Sequence, residues 1–246
     1  MPARKTDQTR QAKKAIFIVD DHPVLRRGLA ALIESEPDLA VCGQASTCQA
    51  ALQGIRESKA DLVIVDLGLE GCDGLDLVKD IKVRHPKTPA LVLSMHDESL
   101  YAERALRAGA RGYVTKQQLD DTVLIAVRRL LNGEMYMSEK MEARFAKKFL
   151  GDRTLEKDSP LAVLTDRELA VFRLIGQGRS TRQIAQSLHL SIKTIESHRG
   201  HIKQKLMIES SAELAITRPS GSKPAGQAEG AVKSKDGLHH EGPRAA

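Results

Sequence analysis

Five side chains in this 246-residue sequence have the types and placement that phosphoryl chemistry needs: Asp20, Asp21, Asp66, Ser94 and Lys116. Each ends or follows a short apolar run. Ile16-Phe-Ile-Val19 precedes the acid pair, Leu62-Val-Ile-Val65 precedes Asp66, Leu91-Val-Leu93 precedes Ser94, and Tyr113-Val-Thr115 precedes Lys116. If these runs are parallel strands of one sheet, their carboxyl ends share an edge, where open α/β sheets place ligand chemistry. Three carboxylates gathered there repel one another. A hard cation relieves that repulsion, and Mg²⁺ takes a few carboxylates with carbonyl and water oxygens. A carboxylate is a weak nucleophile, but it accepts a phosphoryl group once a metal and an ammonium neutralise the equatorial oxygens. Asp66, with the glycine-rich turn Leu67–Gly74 behind it, is the expected acceptor.

The surrounding pattern supplies such a sheet. Strands are expected at Ala15–Val19, Leu39–Ala45, 62–66, Ala90–Ser94 and Gly112–Thr115. The third is a continuous apolar run, the mark of a strand buried on both faces. Helices are expected from Pro23 to about Glu34, from a Thr47 cap through Arg56, over Leu75–Val83 before Pro86, over Glu98–Ala108, and over Asp120–Leu131. The last has Val123, Val127, Leu130 and Leu131 on one side. Five βα units predict an α/β flavodoxin-like, doubly wound parallel sheet in strand order 2-1-3-4-5. This domain spans 15–132, ending at Asn132-Gly133.

Residues 133–160 read as a linker with a charged helix at 138–150 and a polar stretch from Gly151 to Pro160. An all-α module follows over 161–217, with four helices expected near 166–176, 180–188, 191–206 and 210–216. Thr165 and Glu168 have the spacing of a capping box. Ser180–Leu188 and Ser191–Leu206, joined by His189-Leu190, fit a helix-turn-helix whose second helix enters a major groove. Ile195, His198, Ile202 and Leu206 form its inward stripe. Lys193, Thr194, Glu196, Ser197, Gly200, Lys203 and Gln204 are the expected DNA-facing set, basic members holding phosphates and polar ones reaching base edges. Residues 1–14 and 218–246 lack apolar periodicity and read as a disordered basic arm and a disordered tail.

The net charge of +6 is unevenly spread: +4 over 1–14, −3 over 15–131, zero over 132–160, +3 over 161–217 and +2 beyond. An acidic front module and a basic rear one assign nucleic acid to the rear. No apolar run approaches the ~20 residues of a membrane span, and the basic, polar N-terminus lacks the apolar core of a signal peptide, so a cytoplasmic protein with no membrane partner is expected. Cys42, Cys48 and Cys72 form no metal-ligand pattern and read as small core filler in a reducing compartment.

Val19-Asp-Asp-His-Pro23, Asp66 with Asp73-Gly74, Ser94 and Val114-Thr-Lys116 closely resemble the receiver domain of bacterial two-component response regulators. The resemblance implies that Asp66 is the phosphoacceptor, that Asp21 binds Mg²⁺ directly and Asp20 mainly through water, and that the Gly68 carbonyl is a further ligand. It also implies that Lys116 contacts the phosphoryl group, that Ser94 reorients towards it, and that Tyr113 is an aromatic switch. Leu164-Thr-Asp-Arg-Glu168, Gly178-Arg-Ser180, Gln183-Ile-Ala185, Leu190-Ser-Ile-Lys-Thr-Ile195, His198 and Lys205-Leu206 resemble the LuxR-type DNA-binding domain. Together they are similar to the NarL/FixJ class over roughly 15–217. That implies a phosphorylation-dependent transcriptional regulator, with a sensor histidine kinase, double-stranded DNA and a second copy of itself as partners. Two departures stand out. Glu70 occupies a position where many receivers carry proline, which predicts a more mobile acceptor loop. The expected last helix is cut short at Arg218-Pro219, which shifts dimerisation towards the receiver or weakens it. An aspartate-nucleophile phosphatase would place a second acid two residues after Asp66. Gly68 stands there, so turnover of an external substrate is not expected. A receiver that takes no phosphate and acts as a scaffold is the other alternative, opposed by the intact acid, hydroxyl and lysine set.

Overall fold

The computed structural model describes residues 12–118, 121–150 and 160–208. The chain runs β1 (Lys14–Val19), α1 (Pro23–Glu34), β2 (Leu39–Ala45), α2 (Cys48–Ser58), β3 (Leu62–Val65), α3 (Gly74–Arg84), β4 (Ala90–Ser94), α4 (Glu98–Ala108), β5 (Gly112–Thr115) and α5 (Asp121–Leu131). Four helices follow: α6 (Glu139–Phe149), α7 (Asp166–Gly176), α8 (Thr181–Ser187) and α9 (Ile192–Leu206). The sheet order is β2-β1-β3-β4-β5, every described pairing parallel, as the strand and helix pattern predicts. The expected helix at 210–216 and the two terminal segments lie largely outside the described residues.

Strand periodicity divides the core in two. Phe17, Val19, Val63 and Val65 pack with residues of α2, α3 and α4 on one face. Ile16, Ile18, Leu62 and Ile64 pack with α1 and α5 on the other. β3 is buried along its whole length, so its apolar run carries no alternation. The consequence for function is positional: β1, β3, β4 and β5 all deliver their carboxyl ends to one edge.

Two features differ from the reading of the sequence alone. The charged helix α6, expected within a linker, packs on α4: Met141 is buried, the Ser138 hydroxyl donates to Glu98 at 2.7 Å, and Lys148 meets Glu103 at 2.7 Å. Just before it, Tyr136 bridges to Gly112, donating from its amide to the Arg111 carbonyl at 3.0 Å. One apolar stripe on a charged helix does not name the surface that will cover it. The second difference is a correction. Cys42 is a free thiol, but Cys48 and Cys72 form a disulfide across 24 residues, so the filler reading fails for both. An odd cysteine count hides one pair when the fold alone brings its members together.

In the rear module α7 opens with the expected capping box, Thr165 with Glu168, and α8 with a second, Ser180 with Gln183. Leu169, Phe172, Ile175, Ile184, Ile195 and Ile202 form its core, which continues into the α2–α3–α4 layer of the front module.

Candidate functional site

The β1 and β3 ladders fix the acids. The Asp66 amide donates to the Val19 carbonyl at 2.9 Å, which places Asp66 beside the Asp20–Asp21 pair. Asp20 and Asp66 are 2% and 3% exposed, burial that two carboxylates tolerate only with a counter-charge. Lys116, following β5, supplies it: Nζ lies 2.7 Å from Asp20 Oδ2 and 2.8 Å from Asp66 Oδ2. Burial pushes the Asp66 carboxyl above the ordinary carboxylate range, and Lys116 and the Gly68 amide, 2.9 Å from Oδ1, act against that rise. Asp21 Oδ2 accepts from the Glu70 amide at 2.9 Å. Its Oδ1 is buried and accepts no hydrogen bond, although His22 Nδ1 stands 2.7 Å away. Ligand atoms of Asp20, Asp21, His22 and Asp66 all lie within 4.8 Å of one another. Three of these ligand atoms are carboxylate oxygens, which suit a hard divalent cation.

The loop after Asp66 is packed from below by the first residue of α3. A Cβ on Gly74 would fall 2.5 Å from Leu67 Cα and 2.7 Å from the Asp66 carbonyl oxygen, both backbone atoms that cannot give way cheaply. We expect Gly74→Ala to lower thermal stability by roughly 1–3 kcal/mol, the usual range for an overpacked site. Denaturant melts check this; an unchanged midpoint would mean that α3 shifts freely against the loop.

Ser94 and Tyr113 meet at a residue that neither motif nor spacing singled out, His96. The Ser94 hydroxyl accepts from the His96 amide at 3.2 Å, and the Tyr113 hydroxyl donates to the His96 carbonyl at 2.9 Å. Tyr113 is 1% exposed, and burial pushes its hydroxyl well above the usual tyrosine range. The His96 ring stacks on Tyr101 at 4.6 Å, and its Nε2 meets an Nη of Arg173 from α7. Burial, then Arg173 and Lys116, hold His96 down at about 3 against an ordinary 6.5. A histidine lowered in the folded state binds its proton only on opening or unfolding. Stability is therefore complete above 6.5 and declines as pH falls from there towards 3. At about pH 5 the loss is roughly 2 kcal/mol. Melting curves should show His96→Gln losing less stability between neutral pH and about pH 5 than the parent chain. Equal losses would remove His96 from the account.

Arg173 belongs to a wider contact between the modules. A cavity of about 300 Å³ is lined by Asp21, Asp66, Glu70 and Lys116 on one side and by Arg173 and Arg179 on the other. Arg104 on α4 pairs with Asp166 at 3.1 Å and donates to the Leu161, Ala162 and Leu164 carbonyls at 3.3, 3.3 and 2.8 Å. Lys79 reaches Asp166 at 3.0 Å, Arg167 reaches Asp76 at 2.8 Å, and Arg179 lies 3.6 Å from Glu70. These pairs were not legible in the sequence, because charges on two modules carry no mark of facing each other.

On α9, Ile195 and Ile202 are fully buried, while His198 and Leu206 are half-buried along the same stripe. Lys193, Glu196, Ser197, Gly200 and Gln204 are exposed. Thr194 and Lys203 are half-buried, and the Thr194 amide donates to the Ser191 hydroxyl that caps the helix. Nothing lies within 4 Å of a Cβ built on Gly200, so packing inside the chain does not require that glycine. Glu168 locks α9 to α7. Burial works to raise its carboxyl, but Lys205 at 2.7 Å and the Thr165 cap prevail and hold it low.

A five-stranded parallel sheet with acids, a hydroxyl and a lysine on one edge, joined to a helix-turn-helix, is the architecture of a response regulator. Known proteins agree. Residues 16–129 match the family described as "Response regulator receiver domain", and residues 162–217 match "Bacterial regulatory proteins, luxR family". The oxygen regulatory protein NreC of Staphylococcus haemolyticus is 34% identical over 203 residues, covering 81% of this chain and 94% of that protein. NreC of Staphylococcus aureus matches over the same shares at 34%. Among solved structures, RcsB of Salmonella enterica serovar Typhimurium, bound to promoter DNA with a phosphomimetic BeF3⁻, superposes with a TM-score of 0.64. It is 26% identical and covers 83% of this chain and 97% of that one. A LuxR-family regulator from Aurantimonas gives 0.53 at 33% identity, covering 56% of this chain and 99% of that one. The chain belongs to the two-component response regulators of the NarL/FixJ class, transcription regulators with a receiver and a LuxR-type DNA-binding domain.

Proposed function

We propose that Asp66 is the residue phosphorylated in this regulator, by a sensor histidine kinase, and that the acyl phosphate governs DNA binding by α9. The observation that carries the reading is the Lys116 ammonium placed between Asp20 and Asp66 within 2.8 Å of each. An Asp66 oxygen attacks phosphorus, and the bond from phosphorus to the donor imidazole breaks. Lys116 contacts the transferred group, Ser94 turns towards it, and Tyr113 follows as the switch. Asp20, Asp21, Asp66 and the Gly68 carbonyl would hold Mg²⁺, which supplies positive charge to the phosphoryl oxygens. The protein acts on itself and turns over no external substrate.

Phosphorylation favours a homodimer reading two DNA half-sites about one helical turn apart. Lys193, Thr194, Glu196, Ser197, Gly200, Lys203 and Gln204 make the contacts. No helix among the described residues is long and apolar enough to cross a membrane. A role in transcription regulation supports a cytoplasmic location, where bacterial DNA lies. The reading is tested by titrating double-stranded promoter DNA with protein treated with acetyl phosphate and Mg²⁺, against untreated protein. Affinity should rise at least several-fold, and equal affinities would sink it. Lys193→Ala should weaken binding to all sequences and flatten the salt dependence of log K by about one unit. An unchanged slope would take Lys193 off the DNA backbone.

A further inference from the structure

We propose that Cys48 and Cys72 form a reversible redox tether that tightens the acceptor loop. The inference rests on the cytoplasmic location and the cation site proposed above. Cys48 is the first residue of α2, and Cys72 lies in the loop between Asp66 and α3. Their Cα atoms stand 6.3 Å apart, within ordinary disulfide reach. Disulfides in cytoplasmic proteins are mostly transient and redox-sensing, so a bonded pair there is a switch more than a staple.

The position of the bond gives it a target. The loop it ties down carries Gly68, whose amide holds Asp66, and Glu70, whose amide holds Asp21. It also carries Gly71, held at φ +79° beside the His189 ring of the rear module, and Glu70 faces Arg179. At position 70 the chain has glutamate, which does not restrain the backbone as a proline ring does. The Cys72 tether supplies restraint two residues further on. Reduced, the loop must be ordered when the cation binds; oxidised, part of that ordering is already complete.

Both cysteines are half-buried, and Cys72 lines the ~300 Å³ cavity, so a small reagent can reach it. The oxidant is a low-molecular-weight disulfide of the glutathione class. One protein thiolate attacks a sulfur of that disulfide, forming a mixed disulfide and expelling one small thiolate. The second protein thiolate then attacks the mixed disulfide, closing the Cys48–Cys72 bond and expelling the other. Two protein thiols lose their protons, the two small thiolates gain them, and two electrons pass to the reagent. Cys42 takes no part.

The full chain is equilibrated with excess glutathione or with glutathione disulfide, alkylated and mapped by peptide mass spectrometry. Each state is then titrated with MgCl2 by calorimetry and labelled with acetyl phosphate. The expected result is a Cys48–Cys72 peptide pair only in the oxidised sample, with Cys42 alkylated in both. Oxidised protein should bind Mg²⁺ about five-fold tighter, the scale of one ordered residue. Cys48→Ser, at the first residue of α2, should remove the difference between the two states, whereas Cys42→Ser should keep it. No linked peptide, or equal Mg²⁺ affinity in the two states, overturns the tether. Absence of labelling in both states with the five-fold ratio intact would sink the acceptor reading and leave the tether standing.

Discussion

Asp66→Asn will reduce acyl-phosphate labelling from acetyl phosphate or a phosphorylated kinase to background, without unfolding the receiver. The carboxamide keeps the shape of the side chain and can still accept from the Gly68 amide, 2.9 Å from Oδ1 in the parent chain. It lacks the anionic oxygen that attacks phosphorus, and its site loses one carboxylate from the cation-binding set. Folding should survive because burial already disfavours the ionised form of Asp66. A group with a raised carboxyl pKa withdraws stability as pH rises through its titration, and a neutral isostere removes that withdrawal. Lys116 keeps Asp20 as its partner at 2.7 Å. The melting temperature of the variant at neutral pH should therefore equal or exceed that of the parent. Labelling at the parent level would move the acceptor elsewhere; a large drop in melting temperature would show that the Lys116–Asp66 pair outweighs the cost of burial.

The same residues show where sequence reading succeeds and where it stops. Strand ends were legible because buried parallel strands leave continuous apolar runs, and Asp20, Asp66, Ser94 and Lys116 sit at their carboxyl termini. The helix-turn-helix was legible because its caps and inward stripe are local, spaced by three or four residues. His96 was not. Its role comes from a backbone amide and carbonyl that hold Ser94 and Tyr113, and backbone groups leave no trace in residue type. The Cys48–Cys72 bond and the contacts of Arg104, Arg173 and Arg179 were hidden for a related reason. Each joins elements far apart in the chain, where composition and periodicity have no reach.

Arg104→Ala should release the rear module from the receiver. The Arg104 side chain is 13% exposed and makes four contacts across the interface: Asp166 and the carbonyls of Leu161, Ala162 and Leu164. Hydrogen bonds from a charged donor contribute roughly 1.5–3 kcal/mol each in favourable burial, but they share one guanidinium and are not additive. Lys79 still holds Asp166 at 3.0 Å, and Arg167 still reaches Asp76 at 2.8 Å, so the contact is weakened and not erased. A net loss of about 2–3 kcal/mol shifts the closed-to-open ratio by roughly 30- to 150-fold. Small-angle scattering of the unphosphorylated variant should show a larger radius of gyration, and amides of the Pro160–Val163 turn should exchange faster. An unchanged profile in both would place the closing energy in the Arg173 and Arg167 contacts instead. The closed arrangement sets Arg173 and Arg179 over the cavity that contains Asp66, so opening also uncovers Asp66. Coupling between two equilibria is reciprocal. If phosphorylation favours the open state, a chain opened by Arg104→Ala must hold its phosphoryl group more favourably, and its steady-state labelling at limiting acetyl phosphate should rise. A fall in labelling would instead mean that the arginines over the cavity stabilise the acyl phosphate in the closed form.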